Sequence, residues 1–219
     1  MKGKNSAVKR SCVLLALLIS ITMLTGCYTI GERKPIATIL FSNGDEVKIR
    51  LYPDQAPNTV NNFIYLANSG FYDGSPVHRI VEYFVIQMGK KGSDPEQVNA
   101  GYYIKGEFSN NGFGKNELSH LQGTVSMARS ASDDDNADKD LYNTASSQFF
   151  ITLTDKTYLD GDYAAFGKVI SGMKLIEQIS KMDVDKNDIP RDEIYIKTLT
   201  VETFGKNYDE PTKIPIEDQ

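Results

Sequence analysis

Val77-His78-Arg79-Ile80-Val81-Glu82-Tyr83-Phe84-Val85-Ile86-Gln87-Met88-Gly89 is the stretch on which the reading of this chain turns. Two β-rich apolar runs are interrupted at Glu82-Tyr83, so the pattern is strand, turn, strand. Side chains alternate across a strand, which groups Val77, Arg79 and Val81 on one face of the first run and Val85, Gln87 and Gly89 on one face of the second. A guanidinium set between a histidine and an isoleucine in such a run is costly to bury unless it is paired. Two readings stay open from this stretch alone. The Arg is tied to a carboxylate at the mouth of a barrel, or it is placed to act on something.

On the N-terminal side, Ile36–Phe41 and Glu46–Leu51 read as strands joined by the tight turn Ser42-Asn43-Gly44-Asp45, a β-hairpin. Pro57 then opens a helix at the position where its missing N–H does no harm, and Val60, Phe63, Ile64 and Ala67 form its apolar stripe. On the C-terminal side, 89–119 is mostly loop around a short extended piece at 102–108. Strands follow at 123–128, 148–153, 165–170 and 194–203, and Leu175, Ile176, Ile179 and Met182 mark the face of a second helix. Helices do not alternate with strands, so a mainly β barrel capped by helices suits the order better than a parallel α/β fold. The count comes to about eight strands and two helices, with a tail at 206–219 that frays.

The first 26 residues differ in kind. Lys2, Lys4, Lys9 and Arg10 precede the apolar run Cys12–Leu24, which ends in Leu24-Thr25-Gly26-Cys27. A basic start, a short apolar core and small residues before the cut describe an export signal, and the run is short for a membrane span. The ending resembles the bacterial lipobox, in which the Cys is lipidated. An uncleaved anchor and an ordinary signal are the alternatives. The expected organisation is a signal at 1–26, a lipidated Cys27 with a polar tether to 35, a folded domain at 36–205, and the tail. Removing the four basic residues takes the net charge from −5 to −9, which argues against nucleic acid and against a polybasic hold on lipid. Only Cys27 then remains of the two cysteines, so no internal disulfide forms. The expected location is extracytoplasmic, on a bacterial membrane.

His78-Arg79-Ile80, Phe84, Gln87 and Gly89 resemble the signature of cyclophilin-type peptidyl-prolyl isomerases. Ile104-Lys105-Gly106-Glu107-Phe108, Ser126-Met127-Ala128-Arg129, Ser147-Gln148-Phe149-Phe150-Ile151, Tyr158-Leu159-Asp160-Gly161 and Phe166-Gly167-Lys168-Val169 resemble further family segments in family order, over Ile36 to Gly205. The resemblance implies a mainly β fold, a closed eight-stranded antiparallel barrel capped by two α-helices, and catalysis of X–Pro rotation. It implies that Arg79 is the catalytic arginine, with Phe84 and Gln87 in the catalytic set. It also implies that Phe84, Val85, Phe150 and Leu159 line the proline pocket with Tyr163 at its far wall, that Gln87, Ala128, Arg129 and Gln148 hold the substrate backbone, and that Tyr158 belongs to the substrate-binding surface. The chemistry agrees. The barrier of ~18–20 kcal/mol comes from amide resonance, so no bond is cleaved and no nucleophile, cofactor or metal is called for. An apolar seat and a donor aimed at the prolyl nitrogen suffice.

Val85, Tyr158 and Tyr163 stand where the best-known members have Met, Trp and His; the change at Tyr158 implies weaker cyclosporin binding. The acidic segment 130–146, about ten residues longer than usual, reads as a solvated surface loop. Two alternatives remain: a substrate-selecting lip favouring basic clients, and a calcium loop using Asp134, Asn136, Asp138 and Asp140, although the Gly of the usual pattern is missing. His78 and His120 read as structural hydrogen-bonding residues. The expected partners are proline-containing segments of exported unfolded proteins and the membrane through the anchor, with the protein a monomer. A non-catalytic proline-binding module and a metal- or solute-binding lipoprotein are the rivals.

Overall fold

A computed structural model describes residues 33–91 and 99–216. The export signal, Cys27 and most of the tether lie outside the described residues. The compact folded unit begins at Lys34. In β1 (Ile36–Phe41) and β2 (Glu46–Leu51) burial alternates residue by residue. Ala37, Ile39, Phe41, Val47, Ile49 and Leu51 all point to one core with no exposure. Gly44, at φ +90°, makes the turn between them.

The remaining strands are β3 (Arg79–Val81), β4 (Val85–Met88), β5 (Thr124–Met127), β6 (Phe149–Thr152), β7 (Ala165–Ser171) and β8 (Ile196–Glu202). All pairings are antiparallel, in the order β3-β4-β6-β5-β7-β2-β1-β8. The eight strands curl into a half-barrel. The expected closed ladder is not formed, because β3 and β8 are the two ends of that order and do not pair. β3 is three residues long, too short to carry a ladder on its free edge. The chain just outside the end strands meets instead: Gly74 N–H donates to the Ile196 carbonyl at 2.8 Å, Ile196 N–H to Ser75 at 2.8 Å and Val77 N–H to Ile194 at 2.9 Å. Ile80 N–H donates to the Asp188 carbonyl at 2.8 Å, so a loop covers the edge of β3.

Helix α1 (Pro57–Asn68) lays Val60, Phe63, Ile64 and Ala67 on the core. Phe63 meets Phe166 at 5.1 Å, Tyr72 at 5.3 Å and Phe149 edge-on at 5.3 Å between ring centroids. Its N-terminus cannot cap itself, because the preceding residue is Ala56. The cap comes from far along the chain. Both carboxyl oxygens of Glu107, a residue only 4% exposed, accept from α1: Asn58 N–H at 3.0 Å, Thr59 N–H at 2.8 Å and the Thr59 hydroxyl at 2.7 Å.

A short α2 (Asp135–Asp140) occupies the acidic segment, and α3 (Met173–Ile179) buries Ile176 and Ile179 with Leu175 and Met182 packed beside them. Among the described residues there are therefore three α-helices where two were expected. The tail does not fray over its described part. Tyr103 and Ile214 exchange backbone bonds of 2.9 and 2.8 Å, Asn58 and Thr212 pair at 2.7 and 3.1 Å, and Pro211 is buried. The ammonium of Lys213 lies over Tyr65 at 4.3 Å and Tyr102 at 4.9 Å. Among the described residues, no helix is long and apolar enough to cross a membrane.

Because Glu107 supplies the cap that Ala56 cannot, Glu107→Ala is expected to cost about 2–3 kcal/mol of stability, and Glu107→Gln roughly half of that. Urea unfolding checks this; a loss below about 0.5 kcal/mol for the Ala variant would remove the cap from the account.

Candidate active site

Register builds the site. Arg79 on β3 pairs with Gln87 on β4, Gln87 with Phe150 on β6, and Phe150 with Ser126 on β5. Paired residues on neighbouring strands share a face, so these four side chains form one row across the outer surface of the sheet. One residue along, Ile80, Ile86, Ile151 and Val125 form the inward row, at most 2% exposed. The turn between β3 and β4 holds Tyr83 at φ 60° and brings Phe84 over the same face.

Beside the row lies a second, smaller hydrophobic cluster, distinct from the barrel core. Val85, Phe150 and Leu159 are its buried members, and Phe84, Ala128 and Tyr163 pack against it. Phe150 and Tyr163 meet edge-on at 5.8 Å. These residues, with Arg79, Gln87, Arg129 and Ala131, line a groove of about 300 Å³. Nearly every expected site residue therefore converges on one surface. Tyr158 does not: it is 67% exposed and stacked on Phe84 at 6.4 Å, outside the groove lining.

Gln87 Nε2 donates to Gln148 Oε1 at 3.1 Å, which places Gln148 where the groove opens into a second, more polar hollow of about 220 Å³. Asn99, Tyr103, Thr144 and Ser146 line that hollow and were not anticipated from sequence; they come from loops with no periodic pattern. Ala131 was missed for the same reason. Gly89 is needed at its place: φ is +99°, and a Cβ there would lie 2.6 Å from the Ser147 carbonyl oxygen.

The two arginines differ. Arg79 is 39% exposed, and its Nε approaches Asp188 at 3.7 Å, a loose ion pair. The barrel-mouth carboxylate is thus present, but it leaves the guanidinium reachable. Arg129 is 3% exposed at its side chain and committed: Nε donates to the Asp162 carbonyl at 3.0 Å, Nη1 to the Ser130 carbonyl at 2.8 Å, and Nη1 and Nη2 to the two oxygens of Asp138 at 2.8 Å each. That fork holds the Asp138 carboxyl below its ordinary pKa. It also takes Asp138 out of the imagined calcium loop. Among the described residues, no group of three His, Cys, Asp or Glu is gathered to hold a metal.

Under the seat, the ring of His120 stacks on Phe150 at 6.1 Å. Its Nδ1 pairs with Asp160 Oδ1 at 2.7 Å and its Nε2 with Ser126 Oγ at 3.1 Å. An ionised carboxylate only accepts, so Nδ1 carries the proton and Nε2 accepts from the Ser126 hydroxyl. Burial alone would raise the pKa of Asp160; hydrogen bonds from Ser119 and His120 outweigh it and hold the group low. His78 departs from expectation. The Pro76 carbonyl and the Gln148 side chain lie nearest, yet neither ring nitrogen completes a well-formed hydrogen bond among the described residues. Burial, with Lys90 nearby, pushes its pKa down to about 4.

A family model described as cyclophilin type peptidyl-prolyl cis-trans isomerase/CLD matches residues 37–201. The chain belongs to the cyclophilin-type peptidyl-prolyl cis-trans isomerases. It is 29% identical over 202 residues to peptidyl-prolyl cis-trans isomerase A of Dickeya dadantii, covering 88% of this chain and 97% of that one. It is 37% identical over 150 residues to isomerase B of Bacillus subtilis, covering 67% of this chain and 92% of that one. A cyclophilin-type isomerase of Cryptosporidium parvum, crystallised in the presence of the dipeptide Ala-Pro, superposes with a TM-score of 0.64 at 31% identity, covering 76% of this chain and 98% of that one. In longer relatives, such as isomerase cyp15 of Rhizopus delemar, the cyclophilin match spans only 25% of the relative. Enzymes of this family act on proline-containing polypeptides, and the groove has the shape and lining for one.

The cyclophilin barrel keeps both histidines neutral in the fold, since burial also lowers the pKa of His120. His78 titrates near 4 when folded and near 6.5 when unfolded, so between these values the unfolded chain binds the extra proton. Stability is therefore complete above pH 6.5 and declines as pH falls toward 4, His78 accounting for up to roughly 3 kcal/mol. Urea midpoints of the wild type and His78→Asn from pH 7 to 4 check this. The wild type should lose more over that range; parallel curves would refute it.

Proposed function

We propose that this isomerase is a membrane-tethered folding catalyst for exported proteins, turning X–Pro bonds at the Arg79 row. Unaided, such bonds take tens to hundreds of seconds to rotate, slow enough to limit folding. The observation that carries the mechanism is the register that sets a reachable guanidinium and the Gln87 amide beside the seat of Val85, Phe150 and Leu159. The proline ring seats in the apolar cluster, and Gln87, Gln148 and the backbone at Ala128 hold the flanking chain. As the C–N bond twists, the prolyl nitrogen pyramidalises and its lone pair becomes an acceptor for Arg79. That interaction is weak in the planar ground state, so it lowers the barrier rather than only tightening binding. In a partly dry groove the donor is worth far more than in water. Arg rather than Lys suits the role, since the planar fork offers several donors in fixed directions.

The Leu24-Thr25-Gly26-Cys27 ending supports the lipid tether, and the tether supports an extracytoplasmic location where clients emerge from export. The acidic balance after signal removal keeps the domain itself in water. A single copy contains every element of the groove, which supports a monomeric enzyme.

Two measurements test this. Exchange NMR on a short X–Pro peptide should show strong acceleration by the wild type and a loss of about 10²–10³-fold with Arg79→Ala. Peptide binding without acceleration in the wild type would favour a non-catalytic docking module. For the anchor, Cys27→Ser should shift the protein from the membrane to the soluble extracytoplasmic fraction, and mass spectrometry should find a diacylated Cys27 in the wild type only. An unmodified wild-type N-terminus would end the tether proposal.

A further inference from the structure

The acidic insertion is not a detached surface loop. Its first residues build the groove: Ala131 lines the proline site and Ser130 lines the adjoining polar hollow. Its helix returns one carboxylate, Asp138, to the groove wall, where both oxygens grip the Arg129 guanidinium at 2.8 Å. Asp138 Oδ1 also accepts from the Ser132 N–H at 3.0 Å, closing the insertion on itself. The guanidinium lies over the rings of Tyr163 at 4.6 Å and Tyr142 at 4.8 Å. Tyr163 is a wall of the seat and meets its floor, Phe150. A chain of direct contacts thus runs from Asp138 through Arg129 to Tyr163 and the proline site.

We propose that Asp138 is a positioning residue of the isomerase: through its fork on Arg129 it latches the 130–140 segment as the rim of the proline groove and fixes the Tyr163 wall. A guanidinium only 3% exposed needs a partner. Removing one partner of a buried charge pair leaves the other uncompensated, a strongly unfavourable state. Without Asp138, Arg129 must move toward water. It would carry with it the Ala131 rim, and Tyr163 would lose the cation on its face. Asp138 itself is 19% exposed and touches no part of the Arg79 row, so the chemical step is left in place. Its role is to make the rim.

This inference rests on the isomerase reading, and the test separates the two. Exchange NMR with the full chain in detergent gives kcat and KM for an X–Pro peptide with Asp138→Ala, Asp138→Glu and Arg79→Ala. The Arg129 Nη–H resonances, whose protons form the fork on Asp138, are followed in the same samples. Asp138→Ala is expected to raise KM roughly five- to tenfold with kcat near wild type, and to lose the slow-exchanging Nη–H signals. Asp138→Glu, which can still form the fork, restores both. Arg79→Ala, in contrast, lowers kcat and keeps the Nη–H signals. The latch is overturned by an unchanged or lower KM in Asp138→Ala, by retained Nη–H signals in that variant, or by a failure of Glu to rescue. Absence of acceleration by the wild type would overturn the isomerase mechanism instead, while the Nη–H signals and peptide-induced shifts would still decide the latch.

Discussion

A strand pair out of register by one residue would exchange the two faces of this sheet, and no active groove would survive it. The Arg79–Gln87–Phe150–Ser126 row and the Ile80–Ile86–Ile151–Val125 row are one residue apart on the same four strands. The inner row is anchored by burial, each apolar side chain contributing roughly 1.5–3 kcal/mol on leaving water. That energy holds the outer row in place at no further cost. The active surface is, in this sense, the reverse side of the core. It explains how a polar, partly solvated set of side chains with few mutual hydrogen bonds is held in position.

The rest of the chain keeps that surface from drifting. Glu107 ties the start of α1 to the loop before β5, and α1 in turn presses Phe63 onto Phe149, the inward neighbour of Phe150. His120, clamped between Asp160 and Ser126, braces the underside of Phe150 and holds the turn that carries Leu159. One imidazole thus supports both Phe150 and the turn that carries Leu159. The tail pairs with Tyr103, whose neighbour Ile104 bridges to Ala145, so even the far hollow is supported by chain that lies beyond β8.

What could be read in the sequence follows from periodicity and from motifs. The alternation in β1, β2 and the β3–β4 hairpin and the apolar stripes of α1 and α3 located most strands and two helices, while the residues of the groove were located by the family resemblance of the motifs rather than by periodicity. What could not be read depends on contacts distant in sequence. Closure of the barrel fails as a ladder because β3 is short, and nothing local in Arg79-Ile80-Val81 reveals that a loop at Asp188 takes its free edge. The tail looked frayed because it is polar and holds prolines, yet Pro211 is buried and Ile214 finds an unpaired backbone at Tyr103. The acidic segment has no apolar stripe, so its helix and its place at the groove rest on a fork to Arg129 that no pattern within the segment encodes. Tyr158 leans on the groove-lining Phe84 while its own side chain faces water, an arrangement the motif alone does not reveal.

Arg79 and Arg129 both line the groove, but their surroundings differ. A donor that stabilises a twisted amide must remain uncommitted until the transition state, or the gain there is offset by the bond it gives up. The proposed mechanism asks this of Arg79, which is partly in solvent and only loosely paired with Asp188 at 3.7 Å. Arg129 does the opposite. Its donors go to Asp162, Ser130 and Asp138, and its flat face goes to tyrosines. Such a guanidinium is already committed within the protein and serves the architecture of the groove wall. The same side-chain chemistry yields a reactive group or a structural one according to how completely its hydrogen bonds are already made.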